Sequence, residues 1–406
     1  MAALCEVFWG LGASLVASAT VLTILLRRCG ADERIIGAIP AVEAAGFLVP
    51  QFLGAFIFNS RRKRKWHMVA WHIAAIIPFW GLMGLLAAWA GHWPATAVRW
   101  ALLGLHAGFF WAMGMGAAAW QDWWAGLFDV RIRGSVTGLV MGSSAVAGVG
   151  GALFSGWAIA AWPGFGVYGA LYLLAVAMGL LSMVAISLVR DPGQVLPEKD
   201  MSLSPRKLLI RVRQSLADRN FRRYLVGRLL ASWGFCMIPF IAVYYTSPAG
   251  GALGAGQVVS LGAASTLATA VGSLALGRLG DRMGHRLGVL IGVLVQAAAL
   301  CVLLTVTGRV GCAAAYALAG MAISSGWVSH GNMMLETCPH GSRMAHLTAG
   351  NLVVGLGAMI GPLVGGQLAK GWGVRTVFAG CLALSVIAAL WVVTMVREPR
   401  NAATAQ

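Results

Sequence analysis

The sequence predicts an all-α integral membrane protein, with twelve transmembrane helices arranged as two pseudo-symmetric six-helix bundles. Three observations carry that expectation. Of 406 residues, 59% are hydrophobic and 11% charged, giving a mean hydropathy of +0.78. Apolar runs of about twenty residues recur along the chain. The basic residues crowd into alternate loops.

The apolar runs place spans near 7–26, 35–58, 68–90, 97–119, 137–160, 166–190, 224–247, 256–277, 287–306, 310–333, 346–369 and 374–396. A helix of that length crosses roughly 30 Å of hydrocarbon. Lipid offers the backbone no partners, and barrel strands would alternate over about ten residues, so runs this continuous are read as helices. The seven cysteines are scattered without a CxxC spacing, and read as small buried hydrophobes.

Orientation follows from the thirty Lys and Arg. Loops after spans 2, 4, 6, 8 and 10, with the C-terminal tail and the entrance to span 7, hold all but Arg27, Arg28, Arg34, Arg99, Arg309, Lys370 and Arg375. The positive-inside rule makes the crowded side cytoplasmic. Both termini are then expected in the cytoplasm, in a multi-pass protein of the plasma (cell inner) membrane. Ala17-Ser18-Ala19 resembles a cleavage site, but no basic stretch precedes it, which argues against a signal peptide. The net charge of +17 is mainly this bias, which also favours anionic lipid, and no nucleic-acid partner is implied.

Residues 191–223 form the longest polar interval and suggest three parts: an N-terminal bundle 1–190, a cytoplasmic linker 191–223 and a C-terminal bundle 224–406. Ser204-Pro205 offers a helix start, and Leu208, Val212 and Leu216 share one face, so the linker reads either as a basic amphipathic helix on the membrane surface or as a disordered connection. The halves echo each other. GGALFSGW at 150–157 and GGQLAKGW at 365–372 share Gly-Gly-x-Leu-x-x-Gly-Trp, six spans apart, and basic turns follow spans 2 and 8. Such duplication is used by transporters whose site lies between two repeats.

The turn after span 8, GRLGDRMGHR, has five ionisable side chains in ten residues. Its Gly277, Asp281, Arg282, Gly284 and Arg286 resemble the signature loop of the major facilitator superfamily. The glycines permit a tight turn, and Asp281 suits a helix N-terminus or an arginine partner. These five residues are the expected gating loop. The first-half turn, FNSRRKRKWH, lacks the aspartate, so Asp122 or Asp129 with Arg131 and Arg133 would supply charge pairing there. Gly357-x-x-x-Gly361-Pro362-x-x-Gly365-Gly366 in span 11 is similar to a pattern that proton-driven exporters carry in span 5, and otherwise reads as close helix packing.

The resemblance implies a cavity lined by spans 1, 4, 7 and 10. Polar groups inside the membrane are costly and usually functional, so the substrate or proton-coupling candidates are Glu43, His106, Asp122, Arg228, Trp327, His330 and Asn332. Glu43 is the carboxylate deepest in an apolar run. Burial penalises the charged form of an acid, so it suits a coupling proton, although a structural carboxylate bonded to a neighbouring helix fits equally. With no Walker A motif and no catalytic cluster, no enzyme is expected. The expectation is a secondary carrier of a small solute working by alternating access, proton-coupled in one version, monomeric, with no cofactor and no metal site. The alternative is a transporter-like sensor or assembly factor.

Overall fold

In the computed structural model of the chain, described for residues 1–50, 53–54, 64–127, 130–190, 210, 213–337 and 343–399, all regular structure is helical. The long helices are α1 (Ala3–Arg28), α2 (Glu33–Leu48), α3 (Lys65–Ala88), α4 (Ala95–Gly126), α5 (Val130–Ala161), α6 (Phe165–Ser187), α7 (Arg219–Thr246), α8 (Ala255–Met283), α9 (His285–Thr305), α10 (Gly308–Met334), α11 (Arg343–Trp372) and α12 (Val374–Met395). They follow the twelve hydropathy spans in order. Among the described residues ten are long and apolar enough to cross a membrane; α2 is described for sixteen residues. The helix suggested over 204–216 lies largely outside the described residues, and so do residues 61–63 of the basic turn at 61–66.

Local chemistry sets several helix ends. Asp32 caps α2, its side chain accepting from Arg34 N and Ile35 N at 3.2 and 3.3 Å, and Asp218 caps α7 through Phe221 N at 2.6 Å. Gly284 makes the turn between α8 and α9 at φ +87.

Continuous spans are expected, yet four are interrupted. Before Pro78, α3 widens into a π-turn at His72–Ile76, and before Pro239, α7 tightens into a 3-10 turn at Phe235–Met237. Proline removes an amide and crowds the carbonyl four residues back, which explains both. Helix α10 is interrupted at Val328, between Gly308–Trp327 and Ser329–Glu336. In α1 the helix stops at Leu15, Ala17 is extended at ψ 128, and a π-turn runs over Ser18–Leu22, with no proline present.

The repeated glycine motif has a structural meaning. A Cβ on Gly156 of α5 would lie 2.0 Å from Ser260 Oγ and 2.5 Å from Gly256 O of α8; one on Gly256 would lie 2.3 Å from Gly156 O. A Cβ on Gly366 of α11 would lie 2.8 Å from Glu33 O of α2, and one on Gly37 would lie 2.4 Å from Pro362 O. The two copies therefore form two backbone-close seams, α5 on α8 and α11 on α2, that join the first six spans to the last six. Between them the second half of α1 touches the second half of α7. These contacts lie toward the end opposite the basic loops, where Lys370 Nζ of α11 also donates to Asp32 Oδ2 at 2.6 Å.

Candidate functional site

The interruption of α1 sits on the wall of a cavity of about 320 Å³, lined by Trp9, Ala17, Ser18, Trp80, His106 and Phe109 among others. Ala17 leaves the helical path at ψ 128, and its carbonyl still accepts from Thr20 N and Leu22 N, at 3.2 Å each. Trp9 stacks on Trp80 at 5.2 Å between ring centroids, and Trp80 on Phe109 at 5.1 Å, giving the cavity an aromatic wall.

At its rim the two polar side chains singled out in the first-half spans meet. His106 Nε2 lies 2.9 Å from Glu43 Oε1, with the histidine side chain 8% exposed and the carboxylate 24%. Phe110 packs edge-on to the imidazole at 4.9 Å. Residues 63 apart in sequence, on α2 and α4, thus form one acid–base pair beside the broken helix. The side chain of Asp122 lies outside the described residues.

The last six spans carry a different cluster. Tyr224 of α7 bonds through its hydroxyl to His330 Nδ1 of α10 at 2.5 Å. One turn on, Arg228 is 5% exposed, and its Nη2 lies 3.8 Å from where a Cβ on Gly326 would stand. Trp327 is 77% exposed beside that glycine, and Asn332 Nδ2 donates to Val328 O of its own helix at 3.0 Å. Other polar groups of the cavity spans turn elsewhere: Ser325 donates to Gly288 O of α9 at 2.9 Å.

Gly277, Gly284 and Arg286 of the expected gating loop meet their own half. Gly277 faces Val328 of α10, and Gly280 packs against the His285 ring. Arg286 donates from its side chain to Val392 O and Val393 O of α12, at 3.2 and 2.7 Å, and its backbone N donates to Glu398 Oε2 at 3.0 Å. Gly284 leaves room for that carboxylate. Asp281 and Arg282 are exposed in the last turn of α8. Glu398 was not among the sequence candidates; its signal was an acid just after a span, in a tail otherwise basic.

A second cavity, of about 380 Å³, lies between the halves at the end away from the basic loops, lined by Thr23, Arg27, Arg28, Tyr168, Val243 and Thr246 among others. Arg27 pairs with Glu33 there at 2.9 Å. Asp32 is drawn two ways. Partial burial pushes its carboxyl up, but Lys370 and the Ile35 and Arg34 amides outweigh that and hold it below the ordinary carboxylate value.

A duplicated bundle of apolar helices, with one helix broken at a cavity and polar groups inside the membrane, defines a multi-pass membrane protein of transporter architecture. The sequence profile of the Major Facilitator Superfamily matches residues 250–406. A mutant of the nucleoside transporter NupG is similar in fold at a TM-score of 0.73 and 13% identity, over 97% of this chain and 99% of its own. A bacterial homologue of the human lysosomal transporter Spinster, inward-facing and occupied, gives 0.69 at 14% identity, over 97% and 94%. An auto-inhibited peptide transporter of the POT family gives 0.61 at 13%, over 97% and 94%. No curated protein matches the chain in sequence. Residues 250–406 thus resemble the Major Facilitator Superfamily in sequence, and the chain shares the fold of these solved transporters.

Proposed function

We propose that the protein is a secondary active carrier that moves a small solute by alternating access, with the Glu43–His106 pair taking up and releasing the coupling proton. The single observation that carries this reading is the 2.9 Å contact of that pair at the rim of a cavity beside the interruption of α1. A carboxylate and an imidazole in contact share protons according to how much water reaches them, because desolvation penalises charge. A rocking motion that alternately wets and closes the cavity therefore links proton occupancy to conformation.

The moving units in this proposal are residues 1–190 and 224–406, joined by 191–223, with the seams α5–α8 and α2–α11 as sliding surfaces. The basic end faces the cytoplasm of the cell's inner membrane, so both termini lie inside. Gly277, Asp281, Arg282, Gly284 and Arg286, braced by Glu398, set the position of α8 and α9 at that face and govern the inner gate. The working unit is a monomer needing no cofactor.

Reconstitution into proteoliposomes tests the proposal. Flux of a solute from a broad panel, reduced at least tenfold by Asp281→Asn, is the expected result. Absence of flux across the panel, with a partner protein retained through purification, overturns it in favour of a sensor or assembly factor.

A further inference from the structure

Resting on the carrier reading above, we infer that Arg228 is the anchor for the carboxylate of the transported solute, and that the substrate class is small monocarboxylates. A guanidinium stays charged at any working pH. Inside a membrane such a charge is retained where it meets a counter-charge, a set of carbonyls or a water-filled path.

The other cations of this protein show how it satisfies a structural charge. Lys65, 7% exposed, donates to Ser187 O and Val189 O at 2.8 Å each. Arg99 donates to Gly30 O at 2.7 Å and Arg375 to Leu304 O at 2.7 Å. Arg286 takes two carbonyls of α12. In these four cases the partner is a backbone carbonyl at or near a helix end, while Arg27 and Lys370 pair with the carboxylates of Glu33 and Asp32.

Arg228 departs from that pattern. It lies nine residues into α7, roughly 13 Å along the helix from Arg219, and among the described residues no acceptor for its hydrogens is found. Its Nε is buried without a partner. The titratable groups near it, Tyr224 and His330, supply no carboxylate and are engaged with each other. The three acids of the last six spans stand at the basic end: Asp281 in the final turn of α8, Glu336 at 3.8 Å from His285, and Glu398 on the Arg286 amide. Glu43, in the first six, is occupied by His106.

The missing counter-charge is therefore brought by the ligand. A planar guanidinium fork matches a carboxylate through two parallel hydrogen bonds. One cation in a low-dielectric setting neutralises one negative charge, which favours a monocarboxylate over a phosphate dianion. Gly326 leaves space beside Nη2, and the exposed Trp327 next to it offers an aromatic face for the body of the solute.

Benzoate and its neutral isostere benzamide are the probes. Titrated into the purified full-length protein, benzoate should raise the melting temperature saturably, and benzamide should not. Arg228→Gln should abolish the shift while melting no lower than wild type without ligand, because it removes an uncompensated charge. Should Arg228→Gln fail to fold, Arg228→Lys keeps the charge and loses the fork, and should weaken benzoate at least tenfold. In proteoliposomes, counterflow of labelled benzoate should fall at least tenfold in either variant. No saturable shift by benzoate, or an unchanged shift in both variants, overturns the assignment. Flux of the neutral nucleoside uridine with no response to benzoate overturns it too, while leaving the carrier intact; saturable benzoate binding without flux of any solute supports the site and removes the carrier.

Discussion

The two halves share a fold and a glycine motif, yet their polar interiors are opposites. The first half holds an acid matched to a base, Glu43 on His106 at 2.9 Å. The second holds Arg228, buried and unmatched by any acid among the described residues, beside a Tyr224–His330 hydrogen bond. A matched pair can change its proton content without stranding a charge, which suits coupling. An unmatched cation waits for an anion, which suits binding. In the proposed mechanism the duplicated scaffold divides two tasks, with the aromatic cavity and the broken α1 on the coupling side.

The strongest way to break this comparison is to separate the halves, since both tasks need the seams. Gly156→Leu places side-chain atoms where Ser260 Oγ and Gly256 O stand, at 2.0 and 2.5 Å from a Cβ. Overpacking of this kind costs on the order of 1–3 kcal/mol or forces the backbones apart. Flux of any solute should drop below a tenth of wild type, and wild-type flux would remove the seam from the mechanism.

Next in size is the contrast between the two histidines. His106→Gln should lower pH-driven accumulation about tenfold while leaving exchange at equal pH intact, and leaving Glu43 without its base should lower stability by about 1–3 kcal/mol. His330→Gln should keep accumulation within about twofold of wild type and act on affinity instead. Equal effects of the two substitutions would dissolve the division of tasks.

The smallest effect is expected at Asp32. Its contact with Lys370 is partly exposed, with side chains at 34% and 43%, so Asp32→Asn should cost about 0.2–1 kcal/mol. Because the folded carboxyl is held below its ordinary value, its contribution is complete above the ordinary carboxylate range and disappears as pH falls through the lowered value. Melting curves of wild type and Asp32→Asn should therefore differ near neutrality and merge in acid. A gap that persists in acid would assign the stabilisation to another group.

How much of this was legible in the sequence depends on what sets each feature. The thickness of hydrocarbon dictates span length, so the twelve helices stand close to where apolar runs place them. Pro78 and Pro239 mark the interruptions of α3 and α7 in advance, by removing an amide. The break in α1 has no such marker, since Val16, Ala17 and Ser18 are all tolerated in helices. Glu43 and His106 stood out singly as polar residues in apolar runs, but their meeting is a property of how α2 packs on α4. The paired glycine motifs were visible as a repeat; that they form the seams required the opposing helices. Glu398, over the turn at 284–286, is a single acid in a basic tail, and its contact with Arg286 N depends on how the tail folds back.

The most direct measurement is uphill transport in proteoliposomes under an imposed pH gradient, using whichever solute the protein exchanges, for wild type and Glu43→Gln. Wild type should accumulate the solute against its gradient. Glu43→Gln should lose that accumulation at least tenfold while retaining exchange at equal pH. Accumulation at the wild-type rate in Glu43→Gln would contradict the account and move the proton to another group, or leave a carrier that runs without one.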